Sequence, residues 1–451
     1  SPPVPNLSPD QADALAALHT FTRSRERLLA LSGPAGTGKS FLIGQFLRET
    51  DAKVSLSGTT HKAAKVAAEL AGGGAVTVHS LFGLRPINDY HTGQTRLERR
   101  SKVKAEPGSL VIIDEASMID SALFKQLVAD AETLDLKLLF IGDPYQLPPV
   151  SEAGPPVIFD TVTTLSLTVV HRQAEDNPII GLATGFRRVL DGGSYPVIRP
   201  CQRAIQRVDR QAFGGLVKEL FTSADYQRDP DYCRLVAWTN LRTRDLNTYV
   251  RSLLLGDEAR RYPYLPGETL LVNEAISAND ELLLANETLV TVREAASGGF
   301  TDDDGTLPGY WLVVSESGKA PLELFVPDDH TEARRHLAIL RNRAAKLRKS
   351  LDDTPEDAAL DRQVRTAWAR YFAAKEAFAD LRPPHAVTVH KSQGSTYRHV
   401  LIQVEDIARA AAQPEHLLAR LLYVATTRAA ETAAFYGSLP AHLYGPTRLA
   451  A

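Results

Sequence analysis

Residues 33–40 read Gly33-Pro34-Ala35-Gly36-Thr37-Gly38-Lys39-Ser40, a glycine-spaced turn ending in an ammonium and a hydroxyl. Glycines at these positions let successive backbone N–H groups close on phosphate oxygens. Lys39 then supplies a point charge to β- and γ-phosphates, and the Ser40 hydroxyl is a ligand for Mg²⁺. The run follows the apolar stretch Leu28-Leu29-Ala30-Leu31 and precedes a helical pattern beginning near Lys39, the strand-loop-helix context that phosphate binding needs. A plain glycine turn accounts for the glycines but not for that context.

A second cluster lies on Leu110-Val111-Ile112-Ile113-Asp114-Glu115, an apolar strand ending in two carboxylates. Asp114 is placed to hold a metal, and Glu115 to orient and deprotonate an attacking water. A surface cap or ion pair is the plainer reading of such a pair standing alone, and the preceding phosphate loop decides against it. Gly142-Asp143-Pro144-Tyr145-Gln146-Leu147-Pro148-Pro149 follows the next strand and opens on the same carboxyl edge, so Gln146 is a candidate γ-phosphate sensor. Arg172 and Arg428 each sit in a segment that can aim a guanidinium outward. A lone arginine more commonly makes a surface ion pair. If both reach a γ-phosphate, they neutralise transition-state charge, an effect of about 10³ to 10⁵ in rate for arginine fingers.

These residues need strands that end at one edge. Short apolar runs (Leu28 to Leu31, Lys53 to Leu56, Leu110 to Ile113, Leu138 to Ile141) alternate with helical patterns through 1–165, which predicts an α/β fold with a parallel sheet covered on both faces. The alternation returns in 166–255 and 383–451, where Leu235-Val236-Ala237-Trp238 and Val400-Leu401-Ile402 read as strands beside helical 244–255 and 414–427. A second α/β domain is therefore interrupted by 256–382. That insertion opens with β-like runs at 269–272, 288–292, 310–314 and 322–325, separated by Gly, Asn and Asp, which predicts a small barrel. Leu337, Leu340, Ala344, Leu347 and Leu351 then step by three and four, as do Leu360, Val364, Ala367, Tyr371, Ala374 and Phe378. Thr354 as N-cap with Pro355 at the first helical position predicts an antiparallel helical hairpin. Its run of Arg341, Arg343, Lys346, Arg348 and Lys349 reads as a solvated helix face before it reads as a DNA contact.

With 451 residues, 44% hydrophobic, the chain is long enough for more than one core, and 2 Cys exclude a disulfide scaffold. Cys201 and Cys233 stand apart, against metal binding. The balance of 51 Lys+Arg against 54 Asp+Glu gives −3, so no global basic excess announces a nucleic-acid partner, although local basic grooves stay open. No apolar stretch of about 18 residues appears and the opening residues lack a signal pattern, so the expectation is a soluble protein of a reducing, cytoplasmic compartment with no membrane contact.

The ordered set Ser8-Pro9-Asp10-Gln11, 33–40, Gly58-Thr59-Thr60-His61-Lys62, Thr77-Val78-His79-Ser80, Asp114-Glu115-Ala116-Ser117, 142–149, His171-Arg172-Gln173, Val389-His390-Lys391-Ser392-Gln393-Gly394 and Tyr423-Val424-Ala425-Thr426-Thr427-Arg428 resembles the motif series of superfamily 1B helicases. Within it, the chain is most similar to the RecD and bacteriophage Dda type, over nearly its whole length. The resemblance implies two RecA-like domains, ATP and Mg²⁺ as cofactors, and translocation along single-stranded DNA from 5′ to 3′ with separation of a duplex fork. It implies that Gln11 reads adenine. Phosphate and metal are held by Gly33, Pro34, Ala35, Gly36, Thr37, Gly38, Lys39 and Ser40, with Gly394 at the same cleft. Asp114 and Glu115 take the metal and base roles, and Gln146, Arg172 and Arg428 sense the γ-phosphate.

On the DNA side, the resemblance places Thr60, His61, Thr77, His79, Thr239, Asn240, Thr388, His390 and Lys391 along the strand. Hydroxyls, imidazoles and amides there suit sequence-blind binding. The polar insertion 83–108, with a turn signal at Asp89-Tyr90-His91-Thr92-Gly93, is implied to be a β-hairpin pin whose Tyr90 or His91 stacks on the first unpaired base; a surface loop is the plainer reading. The sequence departs from the family where Glu287 follows Asn286 at a position commonly held by Gly. Such proteins often work as monomers, and replication or recombination proteins are the partners implied. Other readings are an ATP-driven nucleoprotein remodeller, an RNA-directed motor of the same fold, or a binding module without catalysis.

Overall fold

The computed structural model describes residues 7–71, 74, 76–149, 158–170, 176–413 and 416–444. They fall into two units, one made of Ser1–Gly83, Ser101–Leu246 and His385–Ala451, the other of Leu84–Arg100 and Asn247–Pro384.

The first unit holds two parallel sheets. One has the order Val76–Thr77, Val54–Gly58, Leu110–Asp114, Lys137–Gly142, Leu28–Ser32, Thr164–Ser166, with every pairing parallel. Its central strands are apolar on both faces because helices cover both sides, and Leu31, Leu42, Phe46, Ile112 and Leu139 meet in one core. Each such side chain contributes about 1.5–3 kcal/mol by leaving water. Register places Ser32 opposite Gly142 and Gly58 opposite Asp114, so the loops after these strands share one edge. The second sheet runs Ala386–Thr388, Cys233–Ala237, Tyr397–Gln403, Ala429–Tyr436, Ile205–Val208, again all parallel. These are the two α/β cores expected from the alternating pattern, matching the two RecA-like domains that the resemblance implies. Cys201 and Cys233 are both free, and burial pushes the Cys233 thiol up to about 12, leaving it a small inert apolar group.

In the second unit, Leu84–Asn88 and Thr95–Arg99 form a hairpin in register from Leu84 with Arg99 to Asn88 with Thr95. Asp89 organises its turn, its carboxylate accepting from the N–H groups of His91 (2.8 Å) and Thr92 (3.2 Å). Gly93 takes the left-handed conformation at φ +71°, where a Cβ would run into the ring of Trp368. An antiparallel sheet follows with the order Leu322–Pro327, Gly305–Ser315, Leu289–Asp302, Thr269–Val272, Leu381–Arg382. It closes toward a barrel where Phe325 bridges Phe378 and accepts from the Ala379 N–H at 2.8 Å. The runs read at 288–292 and 310–314 are the apolar ends of one long hairpin that continues to Asp302 and Gly305. Its outer half (Ala295, Ala296, Ser297, Gly298, Gly299) lacks the apolar alternation that would have shown it. Glu287 itself adopts the left-handed conformation, φ +65°, and its N–H donates to Val272, so the turn is made without glycine.

Helices His330–Asp353 and Ala358–Ala377 pair as the expected hairpin around Ala344, Leu351, Val364, Trp368 and Phe372. The cap differs from the one predicted. Asp357 caps the second helix, its carboxylate accepting from the N–H groups of Ala359 (3.0 Å) and Leu360 (2.9 Å), while Thr354 ends the first helix and donates to Ser350. A carboxylate at an N-terminus also opposes the helix dipole, which favours Asp357 over the hydroxyl. The basic run behaves as a solvated face: Arg343 forks onto Asp304 and Arg348 pairs with Asp352 at 3.1 Å.

Candidate active site

The phosphate loop leaves the strand Leu28–Ser32 and enters the helix Lys39–Glu49 through Gly38, left-handed at φ +73°. The Gly33 N–H donates to the Gly142 carbonyl at 3.1 Å, and the buried Thr37 hydroxyl donates to Pro34 at 2.8 Å, fixing the loop on the next strand. Lys39 Nζ donates to the carbonyls of Gly33 and, at 3.2 Å, Pro34. Ser40 is exposed in the first helical turn. Lys39, Ser40 and Asp114 line a cavity of about 30 Å³, enough for one small ion or water. A hydroxyl and a carboxylate facing that space are oxygen ligands suited to Mg²⁺ held jointly with phosphate, and the Lys39 ammonium beside them suits the phosphate itself. Among the described residues, no group of three or more His, Cys, Asp or Glu is placed to hold a metal without such help.

Asp114 ends its strand, and its carboxylate accepts from the Glu115 N–H at 2.8 Å. Burial raises its pKa, against that bond and Lys39. Glu115 stands at φ +55°, strained for a non-glycine residue and worth roughly 1–3 kcal/mol, the kind of cost that active sites carry. Burial, with the Asp114 charge beside it, pushes its carboxyl up to about 7; Arg428 and Lys39 oppose that rise. A carboxyl poised there exchanges protons at neutral pH, as a general base for water must. Asp143 is a third buried acid, raised chiefly by burial.

Gln146 is 6% exposed, and its side-chain oxygen has no hydrogen-bond partner among the described residues. An orphaned buried acceptor is costly and suits a water or another donor. Arg428 is 7% exposed and donates to the carbonyls of Val424 (3.2 Å), Ser392 (3.5 Å) and Ser395 (3.0 Å), so its guanidinium is held within the second sheet's loops, near enough to bear on Glu115. Arg172 lies outside the described residues. Gln11 is fully buried; its amide accepts from the Ser8 N–H (3.1 Å) in a capping box and donates to the Thr37 carbonyl (3.2 Å), tying the first helix to the phosphate loop. Gly394, left-handed at φ +73°, approaches Thr60 and Glu115.

Two residues that motif reading leaves without a role complete the region. Arg420 donates to the carbonyls of Pro144 (2.8 Å) and Gln146 (3.1 Å). The Tyr423 hydroxyl accepts from the Ala35 N–H at 2.8 Å and donates to Asp143. Both belong to the helix Leu417–Thr427, three residues apart and so on one face, the signal by which periodicity could have found them.

The residues expected along DNA follow a rule of position. Thr60, His61, Thr77 and His79 lie at or just past the ends of the two neighbouring strands at one side of the first sheet; Thr239, Asn240, Thr388, His390 and Lys391 hold the same place on the second. Several hydroxyls also serve the backbone: Thr60 caps Ala63 (3.1 Å), Thr77 caps Ser80 (3.2 Å) and Thr388 accepts from Lys391 (3.3 Å). Thr239 donates to Asp406 at 2.7 Å, an anchor the sequence reading missed. His61 and Asn240 are exposed. Burial lowers the pKa of His79 and His390, keeping both imidazoles neutral at physiological pH. Lys62 reaches Ser395 at 2.8 Å, joining the two halves of this row. Within the other unit, Tyr90 is 39% exposed at the turn and meets Phe372 edge-on at 5.5 Å, and His91 lies 3.5 Å from Asp361.

Two family profiles match: one described as AAA domain over residues 6–188, and one described as UvrD-like helicase C-terminal domain over residues 384–436. The ATP-dependent RecD2 DNA helicase of Deinococcus radiodurans is 36% identical over 185 residues, which are 40% of this chain and 24% of that protein. The ATP-dependent DNA helicase Pif1 of Bdellovibrio bacteriovorus is 39% identical over 166 residues, 33% of this chain and 34% of that one. The ATP-dependent DNA helicase dda of Enterobacteria phage T4 is 23% identical over 450 residues, 94% of this chain and 97% of that protein. The chain thus spans about a quarter of the RecD2 relative and nearly all of Dda. No helix among the described residues is long and apolar enough to cross a membrane. With the phosphate loop, the strand-end acids and the late arginine motif set in this order on two parallel sheets, the chain is similar to ATP-dependent DNA helicases of the RecD, Dda and Pif1 kind.

Proposed function

We propose that the chain is an ATP-dependent DNA helicase that moves 5′ to 3′ along single-stranded DNA and separates the duplex at a pin. The observation that carries this reading is the meeting, at one edge of the first sheet, of Lys39, Asp114 and Glu115 with Arg428 from the second. In this reading, Lys39 and the N–H groups of 33–40 hold the β- and γ-phosphates, and Ser40 and Asp114 hold Mg²⁺, which offsets phosphate charge. Glu115 takes the proton of a water that the Gln146 side-chain oxygen orients. Arg428, and Arg172 with it, transfers from its resting carbonyls to the γ-phosphate, so that charge neutralisation depends on movement of one sheet against the other. Gln11 contacts the adenine from the loop it braces.

The rows past the end strands of the two sheets grip the DNA by turns. The functional parts are 1–165 with the pin 83–108, then 166–255 and 383–451 as the second motor domain, interrupted by 256–382. Tyr90 or His91 stacks on the first unpaired base, with the helical hairpin bracing the turn through Phe372, Trp368 and Asp361. A base-pair step costs about 1.4 kcal/mol in stacking, so a rigid wedge suffices. The protein acts as a monomer, with proteins of replication or recombination as partners.

Unwinding of matched 5′-tailed and 3′-tailed duplexes with Mg²⁺ and ATP tests the reading. Activity on the 5′ tail alone, lost in Lys39→Ala, is expected. Activity confined to the 3′ tail reverses the polarity, and ATP hydrolysis stimulated by RNA but not DNA strands points to an RNA-directed motor.

A further inference from the structure

The phosphate loop donates one of its N–H groups to an acceptor carried by the second sheet. Ala35 lies in the run whose N–H groups form an anion-binding concavity, and its N–H is taken at 2.8 Å by the phenol oxygen of Tyr423. That hydroxyl donates a hydrogen bond to the carboxylate of Asp143, which polarises the oxygen and makes it a better acceptor. Tyr423 is 1% exposed and Asp143 4%, so water does not substitute for either contact. Asp143 is fixed in turn by the Tyr145 N–H at 2.9 Å, and the Tyr145 ring packs edge-on against Tyr423 at 6.3 Å. Lys39, the loop's other phosphate-directed donor, is likewise turned onto carbonyls of its own loop.

We propose that Tyr423 is a positioning residue that holds the Ala35 N–H until phosphate displaces it, so that nucleotide binding breaks one of the bonds joining the two parallel sheets. The inference rests on 33–40 being the nucleotide site. Phosphate competes with the phenol for one N–H, and Asp143 keeps the released hydroxyl within the sheet edge. Arg420, on the same helix face and bonded to Pro144 and Gln146, moves with it, so release at Ala35 reaches the loop that carries Gln146.

Tyr423→Phe keeps the ring and removes the competing oxygen. Binding of a fluorescent ADP derivative with Mg²⁺ is expected to tighten about threefold to tenfold, the range set by one hydrogen bond no longer surrendered. A merely structural tyrosine would give unchanged or weaker binding. Asp143→Asn, which leaves Tyr423 in place, is expected to tighten binding by a smaller factor and carries the test if Tyr423→Phe does not fold by its melting curve. Unchanged or weaker binding by the folded variants, with Lys39→Ala still impaired at least tenfold, overturns the proposal and leaves the nucleotide site standing. Unimpaired binding by Lys39→Ala overturns both.

Discussion

The two parallel sheets share a layout and present opposite charge. Each has a pair of neighbouring strands at one end whose loops carry hydroxyls, imidazoles and amides: Thr60, Thr77 and His79 on the first, Thr239, Asn240, Thr388 and His390 on the second. Away from that end they diverge. The first sheet gathers the acids Asp114, Glu115 and Asp143 around the phosphate loop, whereas the second sends Arg420, Tyr423 and Arg428 from one helix and its end. In the proposed cycle, Lys39 on the first sheet and Arg428 on the second each meet part of the charge that develops in phosphoryl transfer, so neither sheet alone suffices. In the proposed cycle, the duplicated end would grip DNA and the unlike end would switch.

Removing the second sheet's contribution has the largest effect. Arg428→Ala is expected to lower the DNA-stimulated ATPase kcat by about 10³-fold or more, with nucleotide binding largely kept. A loss below tenfold would move the switching role elsewhere. On the first sheet, Glu115→Gln is expected to cost about 10² to 10⁴ in kcat. Because the Glu115 carboxyl is raised to about 7, kcat/KM of the parent rises with pH through that value as the base ionises. The same shift has the opposite sign for stability: folding favours the protonated form, so this contribution is present at low pH and is lost as pH rises from about 4.5 through 7. A profile flat from pH 6 to 8 would remove Glu115 from the base role.

The second unit offers a contrast, since it carries no share of the proposed hydrolysis chemistry. Gly93→Ala places a methyl group against Trp368 in a left-handed turn. It is expected to reduce unwinding severalfold while DNA-stimulated ATPase stays within about twofold, which separates wedge from motor. Equal losses in both would contradict that division. The smallest effect is expected from Asp357→Ala, about 1 kcal/mol at the start of the second helix, read as a fall in melting temperature.

What was legible in the sequence was local or periodic. The phosphate loop declares itself because glycines, lysine and serine are consecutive, and Asp114-Glu115 because a buried strand ends there. The helical hairpin shows through its apolar stripe. Its cap did not, since Asp352, Asp353, Thr354 and Asp357 compete within six residues and only backbone geometry picks Asp357. The long hairpin beyond Ala295 was hidden by small and polar residues that pair through backbone alone. Periodicity places Arg420 and Tyr423 on one helix face, but they and Asp406 act on partners more than 160 residues away, and no local pattern names those partners.

The grip on nucleotide from both sheets is tested most directly by a crystal structure with Mg²⁺ and a non-hydrolysable ATP analogue. The Arg428 guanidinium is predicted to have left the Ser392 and Ser395 carbonyls for the γ-phosphate, with Lys39 off Gly33 and Pro34. Bound analogue with Arg428 still on those carbonyls would contradict it.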